Sequence, residues 1–193
     1  MKDLIRFARA DDACRILEIY APYITDTVIS FEYDVPAIED FSARVEEIRS
    51  HYPYLVYERD GLVTGYAYAS AYSSRAAYNY TVDLSVYVDA AYCGQNMGEC
   101  LYAAMFDILA KQGFYSAYAC ITATNQNSLK FHRRMGFTDA GTHPLAGFKH
   151  GKWLDVCWYV KHLKEHNGAP QLLKPISVFT DKDLLQPYET YKK

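Results

Sequence analysis

The stretch from Thr81 to Cys100, TVDLSVYVDAAYCGQNMGEC, places a polar, glycine-containing turn directly before a helix. The turn holds Gly94, Asn96 and Gly98, residue types that suit positive φ or the close approach of a ligand. A strand, a glycine turn and a helix in this order expose backbone N–H groups at a helix N-terminus, where phosphate binds favourably. The pattern therefore predicts a phosphate-binding turn, and a turn that binds no ligand is the alternative.

Other nucleotide-binding motifs fit this stretch less well. No GK[ST] follows the glycines, which excludes a Walker A loop. A Rossmann fingerprint is also a poor match, because the spacing differs and the motif lies mid-chain after antiparallel strands. In the strand itself, from Thr81 to Val88, apolar and polar residues alternate, so Asp83 lies on the polar side, opposite Val82 and Leu84.

The N-terminal elements are a strand and two helices. We expect the strand from Arg6 to Asp11, followed by a helix that Asp11 or Asp12 caps and that runs to about Tyr20. Pro22 is expected to end this helix. A second helix begins near Pro36, because apolar residues recur at three- and four-residue steps after it.

The remaining elements surround the glycine turn. Two strand-like runs join at Asp60-Gly61, a hairpin dipeptide, and a helix with one apolar stripe follows the turn and ends before Gly113. YSAYACITA then predicts a strand, Ser128 to Met135 a short helix stopped by Gly136, and FKHGKW a closing hairpin between two strands.

This order of elements indicates an α/β fold with three layers, α/β/α, around a mixed and mostly antiparallel central sheet. We expect one domain over residues 1–166. Residues 167–193 contain three prolines and little helical periodicity, so we expect an extended C-terminal tail packed on that domain.

Composition favours an ordinary globular protein. Of the 193 residues, 50% are hydrophobic, and the net charge of −3 argues against nucleic acid as the main partner. The N-terminus has no apolar stretch suited to a signal peptide and no run suits a membrane span, so a cytoplasmic protein without membrane partners is expected. Five scattered cysteines without zinc-ligand spacing predict reduced thiols and no metal site.

Five segments resemble the GNAT acetyltransferase superfamily, and more closely its phosphinothricin and methionine sulfoximine N-acetyltransferase group. They are spread over the chain to about Leu163: IYAPYITDTVISFEYDVP, YPYLVYERDG, SVYV, NQNSLKFHRRMGF and GFKHGKWLDV. The superfamily's pyrophosphate motif, Q/R-x-x-G-x-G/A, corresponds to the residues from Cys93 to Gly98. Cys93 replaces the first residue and Asn96 the first glycine, and Asn tolerates left-handed φ.

The resemblance implies a GNAT-type fold with acetyl-CoA as co-substrate and a homodimer as the assembly. It also implies that the end of the alternating strand pairs with the pantetheine arm and that a backbone N–H near Val86 polarises the acetyl carbonyl. The implied cofactor-binding residues are Val86, Tyr87, Val88, Cys93, Gly94, Gln95, Asn96, Met97, Gly98, Glu99, Asn125 and Ser128.

Two catalytic residues are implied by position. Asp83 stands where the family's base, usually Glu, lies, and because Asp is one methylene shorter we expect it to act through a bridging water. A structural carboxylate is the alternative. His132 stands where many GNAT enzymes carry the acid for the CoA thiolate, and an ordinary pKa near ~6.5 would let it carry a proton at neutral pH. A satisfied core or surface histidine is the alternative, as expected for the other five.

For the acceptor, the resemblance points to Phe31, Arg75 and Tyr78. Arg75 is the candidate clamp for an α-carboxylate, with a solvent-exposed loop arginine as the alternative. Phe31 and Tyr78 are expected to form the walls of the side-chain pocket. Ser73 replaces a basic residue of phosphinothricin-type enzymes, which makes a more neutral acceptor such as methionine sulfone or sulfoximine equally suitable. The expected function is direct acetyl transfer to the α-amine of a small amino acid. The alternatives are a peptide or protein N-acetyltransferase and a non-catalytic acyl-CoA-binding sensor.

Overall fold

The computed structural model describes residues 2–187, which form one seven-stranded sheet with helices on both faces. The strands are β1 (Asp3–Phe7), β2 (Tyr54–Arg59), β3 (Leu62–Ala71), β4 (Thr81–Val88), β5 (Ser116–Thr122), β6 (Thr138–Lys149) and β7 (Lys152–His162). The helices are α1 (Ala13–Thr25), α2 (Ile38–His51), α3 (Met97–Gln112) and α4 (Gln126–Arg134).

The strand order is β1-β2-β3-β4-β5-β7-β6. Within the described residues 2–187, only β4 and β5 pair in parallel, and the other neighbours are antiparallel. One core cluster lies between the sheet and α3, around Leu101, Met105 and Ile108. A second lies between the sheet and α1 and α2, around Ile16, Phe41 and Val45. The expected three layers and mixed, mostly antiparallel sheet are confirmed.

The N-terminal boundaries differ from the sequence-based expectation. β1 covers Asp3–Phe7 and not Arg6 to Asp11. The chain turns away after β1 because the carboxylate of Asp12 binds the guanidinium of Arg6 at 2.7 Å and accepts a hydrogen bond from Arg9 N. Asp12 precedes α1, but its carboxylate stabilises this turn and makes no capping hydrogen bond to the helix.

Pro22 does not end α1, which continues to Thr25. The proline lacks the N–H that would bind the carbonyl of Glu18, but Glu18 is exposed, so water can satisfy that carbonyl. The carbonyl of Pro22 still accepts a hydrogen bond from Asp26 N at 3.0 Å. A proline on the wet side of the last turn is thus tolerated.

The elements around the glycine turn agree closely with expectation. β4 has the predicted bounds, Gly113 caps α3 with a φ of 113°, and the β2–β3 hairpin turns at Asp60-Gly61. α4 starts two residues earlier than expected, at Gln126, because Asn125 caps it through its side chain.

The segment after residue 166 lies along the sheet edge and α3 as far as it is described. The side chain of Gln186 binds both backbone groups of Ile5 in β1, and Leu184 is only 4% exposed. The last six residues of the expected tail, 188–193, lie outside the described residues. The division into a domain and a tail at residue 167 stays a proposal.

Candidate active site

β4 and β5 pair over only three residues and then separate. The pairing joins Thr81–Asp83 to Ser116–Tyr118, and no further β4–β5 pairing follows within residues 2–187. The parallel strands diverge beyond this point, so the β5 side of β4 is open from Leu84 onward. A gap of about 70 Å³ lies between them, and Ser85, Val86 and Tyr87 line it from β4.

On one side the gap opens into a larger cleft of about 510 Å³, which we call the donor cleft. The end of β4, the glycine turn and the first turns of α3 and α4 form its walls. It collects all the predicted cofactor-binding residues except Tyr87 and Gln95: Val86, Val88, Cys93, Gly94, Asn96, Met97, Gly98, Glu99, Asn125 and Ser128. Tyr87 lines the gap, and the side chain of Gln95 instead accepts a hydrogen bond from Arg59.

The glycine turn has the backbone shape that its residues predict. Gly94 has a φ of 76° and Asn96, directly before α3, a φ of 61°. The tolerance of Asn for left-handed φ thus preserves the turn where the superfamily has glycine. Gly98 matters for a different reason, because a Cβ there would lie 3.3 Å from the ring of Phe131. Its lack of a side chain lets α4 approach the start of α3.

The first turn of α3 also carries a negative charge. Glu99 lies in the donor cleft and pairs with Arg134 of α4, with 2.8 Å between the guanidinium and the carboxylate. A carboxylate is favourable at a helix N-terminus, but it repels a phosphate bound at the same place. Arg134 offsets this repulsion and leaves the pair close to neutral.

Asn125 and Ser128 are held at the start of α4 by a cap. The side-chain oxygen of Asn125 accepts a hydrogen bond from Ser128 N at 3.1 Å. Asn125 therefore satisfies one of the free N–H groups of the helix and keeps the first turn of α4 on the cleft wall. Both residues line the gap as well as the donor cleft.

His132 lies in the wall of the gap, is packed among aromatic rings and is only 4% exposed. Its Nδ1 lies 2.8 Å from the carbonyl of Ser128, and its Nε2 lies 3.1 Å from the hydroxyl of Tyr102. If Nδ1 carries the proton, both ring nitrogens are satisfied. Burial lowers the pKa of His132 to about 4, so the imidazole is neutral at pH 7. The expectation of an ordinary pKa near neutrality is wrong, and the role of His132 as the acid stays a prediction.

Asp83 lies at the closed end of the gap, as the last residue of β4 that pairs with β5. Burial raises its pKa to about 6, and a hydrogen bond from Leu84 N to its Oδ1 at 3.0 Å opposes this rise. No lysine, arginine or histidine within residues 2–187 lies at ion-pair distance from it. Such a carboxylate is ionised at pH 7 but binds a proton more readily than an exposed aspartate.

On the side away from the donor cleft, the gap leads to a second cavity of about 320 Å³, which we call the acceptor cavity. Four residues line both spaces: Ile29, Tyr87, Cys120 and Thr122. Desolvation by surrounding groups, and then the charge of Asp83, raise the pKa of Cys120 to about 11. The remaining walls come from α1, from the connection between α1 and α2 and from β7: Tyr20, Ser30, Phe31, Glu32 and Val156.

The structure separates the three predicted acceptor residues. Phe31 lines the acceptor cavity, whereas Arg75 and Tyr78 lie on the exposed connection between β3 and β4 and line neither this cavity nor the donor cleft. The ring of Tyr78 lies 5.5 Å from that of Tyr72, on the Asp83 side of the sheet. The guanidinium of Arg75 makes no ion pair within the described residues.

Several residues of the site were not predicted from the sequence. Tyr102 of α3 lines the gap and Tyr23 of α1 lines the donor cleft, where its hydroxyl binds the carbonyl of Val88 at 2.6 Å. Both look like core aromatics in the sequence. Tyr102 follows Gly98 by one helical turn, and this spacing was the available signal that it faces the site. Cys120 is placed there by the alternation of β5.

The described residues contain neither a helix suited to cross a membrane nor a cluster of side chains suited to hold a metal ion. Between residues 2 and 187, no helix is long and apolar enough to cross a membrane. In the same range, no three His, Cys, Asp or Glu side chains are grouped closely enough to hold a metal ion.

Comparison with known proteins places this geometry in a family. The model of the acetyltransferase (GNAT) domain matches residues 5–158. The phosphinothricin N-acetyltransferase of Streptomyces viridochromogenes is 32% identical over 173 residues, covering 90% of this chain and 94% of that protein. The L-methionine sulfoximine/L-methionine sulfone acetyltransferase of Salmonella typhimurium is 35% identical over 168 residues, covering 86% and 97%.

A solved structure agrees in shape. The GNAT superfamily phosphinothricin acetyltransferase of Sinorhizobium meliloti, in complex with acetyl-CoA, aligns with a TM-score of 0.85 at 33% identity, covering 89% of this chain and 94% of that one. The diverging β4–β5 pair, the glycine turn before α3 and these matches lead to one conclusion: the chain belongs to the GNAT acetyltransferase family and is an acyltransferase.

Proposed function

We propose that this enzyme transfers an acetyl group from acetyl-CoA directly to the α-amine of a small amino acid or analogue of the phosphinothricin, methionine sulfoximine and methionine sulfone class. One observation carries the proposal: the donor cleft and the acceptor cavity meet at the gap between β4 and β5. A thioester and an amine that enter from opposite sides can meet there in one ternary complex, without a covalent enzyme intermediate.

The donor cleft has the residues that acetyl-CoA requires. The N–H groups at the start of α3 suit a pyrophosphate, and the open edge of β4 offers backbone groups to an extended amide chain. When bound, acetyl-CoA supplies the activated acetyl group. A backbone N–H near Val86 is the proposed donor to the acetyl oxygen, because Val86 lines both the gap and the cleft.

Asp83 is the proposed base. An ammonium must lose a proton before it can attack, and a carboxylate with a pKa of about 6 can accept that proton near neutral pH. Asp83 lies beyond the residues that line the gap, so we propose that a water molecule carries the proton to it.

The leaving thiolate needs a hydrogen-bond donor, and we assign this role to Tyr102 supported by neutral His132. Both side chains line the gap, and the hydroxyl of Tyr102 lies 3.1 Å from Nε2 of His132. Nδ1 of the imidazole donates to the carbonyl of Ser128, so Nε2 accepts from the Tyr102 hydroxyl in the resting enzyme and holds it at the gap. To serve the thiolate, the hydroxyl must release Nε2 and turn its single O–H toward the sulfur. Arg75 remains the hypothetical carboxylate clamp and would require the β3–β4 connection to move toward the acceptor.

The test is a thiol-release assay with acetyl-CoA and a panel of acceptors. The panel contains the common amino acids, phosphinothricin, methionine sulfoximine, methionine sulfone and short peptides, with acetyl-CoA binding measured by calorimetry in parallel. We expect release with at least one amino-acid-like acceptor. Release with peptides alone would replace the proposal by a peptide N-acetyltransferase, and acetyl-CoA binding without any release would support a non-catalytic sensor.

A further inference from the structure

The connection between α1 and α2, residues 26–37, forms one wall of the acceptor cavity, and we call it the acceptor loop. Its residues Ile29, Ser30, Phe31 and Glu32 line the cavity. It belongs to neither helix and has no strand partner, so other contacts must fix its position. Some of these contacts come from α1 and α2, where Tyr20 hydrogen-bonds to Ser30 and Arg44 pairs with Glu32, and others come from the end of the β6–β7 hairpin.

Lys149, at the end of β6, provides the most unusual of these contacts. Its side chain is 2% exposed, and its ammonium donates hydrogen bonds to the carbonyls of Ile24 at 2.7 Å and Ser30 at 2.6 Å. Within residues 2–187 it makes no ion pair with a carboxylate. Burial lowers the pKa of Lys149, and the charge of Glu32 opposes this effect.

A buried ammonium is costly, so its hydrogen bonds must be well made. Ile24 lies in the last turn of α1, where carbonyl groups have no partner within the helix. Ser30 lies six residues later, in the acceptor loop. Lys149 therefore connects the end of α1 to the middle of the loop and holds both against the hairpin.

Gly147, two residues before Lys149, forms a second contact between the hairpin and the acceptor loop. A Cβ at this position would overlap the ring of Phe31, so the ring lies directly over the glycine. The hydroxyl of Tyr33 binds the carbonyl of Phe148, and the hydroxyl of Thr122 binds the carbonyl of Val28 at 2.7 Å. The loop is thus held at several points, and Lys149 contributes a buried charge to this set of contacts.

We propose that Lys149 is a positioning residue for acceptor recognition, which fixes the acceptor loop, with Phe31 over Gly147, in the form that closes the acceptor cavity. Lys149 does not line the cavity and acts through the carbonyls of Ile24 and Ser30. Ile29 of the loop also lines the donor cleft, but the pyrophosphate is expected at the glycine turn, so acceptor binding should respond to this contact much more strongly than donor binding. The inference rests on the proposed function, since it assumes that the acceptor binds in this cavity.

The first experiment compares Lys149→Met with Lys149→Arg and with a matched control, Lys152→Met. Lys152 is the exposed cross-strand partner of Lys149 on the same hairpin. Met keeps the length of the side chain but leaves two carbonyls without a donor, so we expect the acceptor KM to rise about tenfold or more. Acetyl-CoA affinity should stay within about twofold. Lys149→Arg keeps hydrogen-bond donors, so its acceptor KM should rise less than that of Lys149→Met. The control, Lys152→Met, should have the acceptor KM of the wild type.

The second experiment keeps the inference testable if Lys149→Met does not fold. Gly147→Ala pushes against Phe31 without touching the ammonium, and we expect the same selective rise in acceptor KM. Hydrogen exchange of residues 26–37, measured without any acceptor, should become faster in both variants and not in the Lys152 control.

The outcomes separate the two proposals. Faster exchange of the loop in variants of an enzyme that acetylates no acceptor in the panel would show that Lys149 fixes the loop, but it would overturn the proposed function and with it the role of Lys149 in acceptor recognition. An unchanged acceptor KM and unchanged exchange in folded variants would overturn the inference. Equal losses of acceptor and acetyl-CoA binding would also overturn it, because they indicate a general structural role.

Discussion

The carboxylate of Asp83 occupies a place where the sheet opens and water is partly excluded. Burial, not a charged neighbour, raises its pKa to about 6. This environment makes the side chain a better proton acceptor near neutral pH at the expense of folding stability. The two effects can be measured in the same variant, Asp83→Asn, which keeps the shape of the side chain and removes its charge.

For catalysis, we expect Asp83→Asn to lower kcat by about 10²- to 10⁴-fold, the usual contribution of a general base. In the wild type, kcat/KM should rise with pH and level off above a pKa of about 6, because the ionised form is the active one. The variant should lose this rise and still bind acetyl-CoA. An Asn variant with wild-type kcat, or with an unchanged pH profile, would remove Asp83 from the proposed mechanism.

For stability, the sign follows from proton binding. The folded chain holds the Asp83 proton up to about pH 6, whereas the unfolded chain releases it near 3.8. Unfolding therefore becomes easier as pH rises through this window. The free energy of unfolding of Asp83→Asn should exceed that of the wild type by about 1–3 kcal/mol at pH 8. At pH 3 the two values should differ little. Urea denaturation at both pH values measures this, and equal or lower stability of Asn at pH 8 would contradict it.

For single residues, the sequence indicated which side chains belong to the site but not how deeply folding buries them. The alternation of β4 and the family resemblance indicated Asp83, but its raised pKa depends on burial within the folded sheet. His132 shows the same limit more strongly. Its position was clear from NQNSLKFHRRMGF, whereas the rings that bury it and lower its pKa to about 4 come from separate elements. Tertiary packing decides such values, and local sequence does not contain it.

The first turn of α3 combines two functions that conflict. Its free N–H groups suit the pyrophosphate of acetyl-CoA, and Glu99 places a carboxylate beside them. Arg134 compensates, but it does so from the exposed side of α4, where salt screens the pair. The element thus balances the stability of its own N-terminus against affinity for the donor.

Glu99→Gln should shift this balance toward the donor. We expect acetyl-CoA to bind about three- to tenfold more tightly at low salt, because the variant removes a repulsive charge and frees Arg134 for phosphate. The gain should shrink in 0.5 M salt, and helix stability should fall by about 0.3–1 kcal/mol. Calorimetry at two ionic strengths measures the affinity. Weaker binding of the Gln variant would indicate that Glu99 contributes a hydrogen bond to the donor.

Elements were predictable where their limits are set by local chemistry. Gly113 and Asp60-Gly61 marked the end of α3 and the β2–β3 turn, since glycine and aspartate have direct backbone preferences there. The expectation that Pro22 ends α1 was wrong because the effect of a proline depends on which side of the helix faces water. β1 was shifted because the carboxylate of Asp12 binds Arg6, a contact between residues that the local pattern does not connect.

At the scale of the whole molecule, the donor cleft and the acceptor cavity arise from topology. The parallel pair of β4 and β5 lies in the middle of the sheet, whose other described strand pairs are antiparallel, and the separation of these two strands creates the gap. The order of elements predicted this sheet. The distribution of acceptor residues over the α1–α2 connection, β5 and the β6–β7 hairpin was not predictable, since it depends on how distant segments pack. Phe31 was identified from the resemblance, and the buried Lys149 that supports its loop was not.

The C-terminal segment offers the last prediction, because it covers the open edge of the sheet beyond the region that matches the family model. In β1, Ile5 N donates to the side-chain oxygen of Gln186 at 3.0 Å, and the amide of Gln186 donates to Ile5 O at 2.9 Å. Phe7 N donates to Asp181 at 2.8 Å. Side chains thus satisfy backbone groups that a further strand would otherwise occupy, and an uncovered edge invites pairing between chains.

Gln186→Leu should therefore weaken folding and promote association. The leucine keeps the bulk of the side chain but leaves the N–H and carbonyl of Ile5 unpaired, so we expect a loss of about 1–2 kcal/mol. Size-exclusion chromatography with light scattering should show larger species that grow with protein concentration, beyond the assembly of the wild type, which the family resemblance predicts to be a homodimer. Lys182→Ala, an exposed change in the same segment, is the matched control. If Gln186→Leu keeps the wild-type mass at all concentrations and unfolds at the same temperature, the segment does not protect this edge.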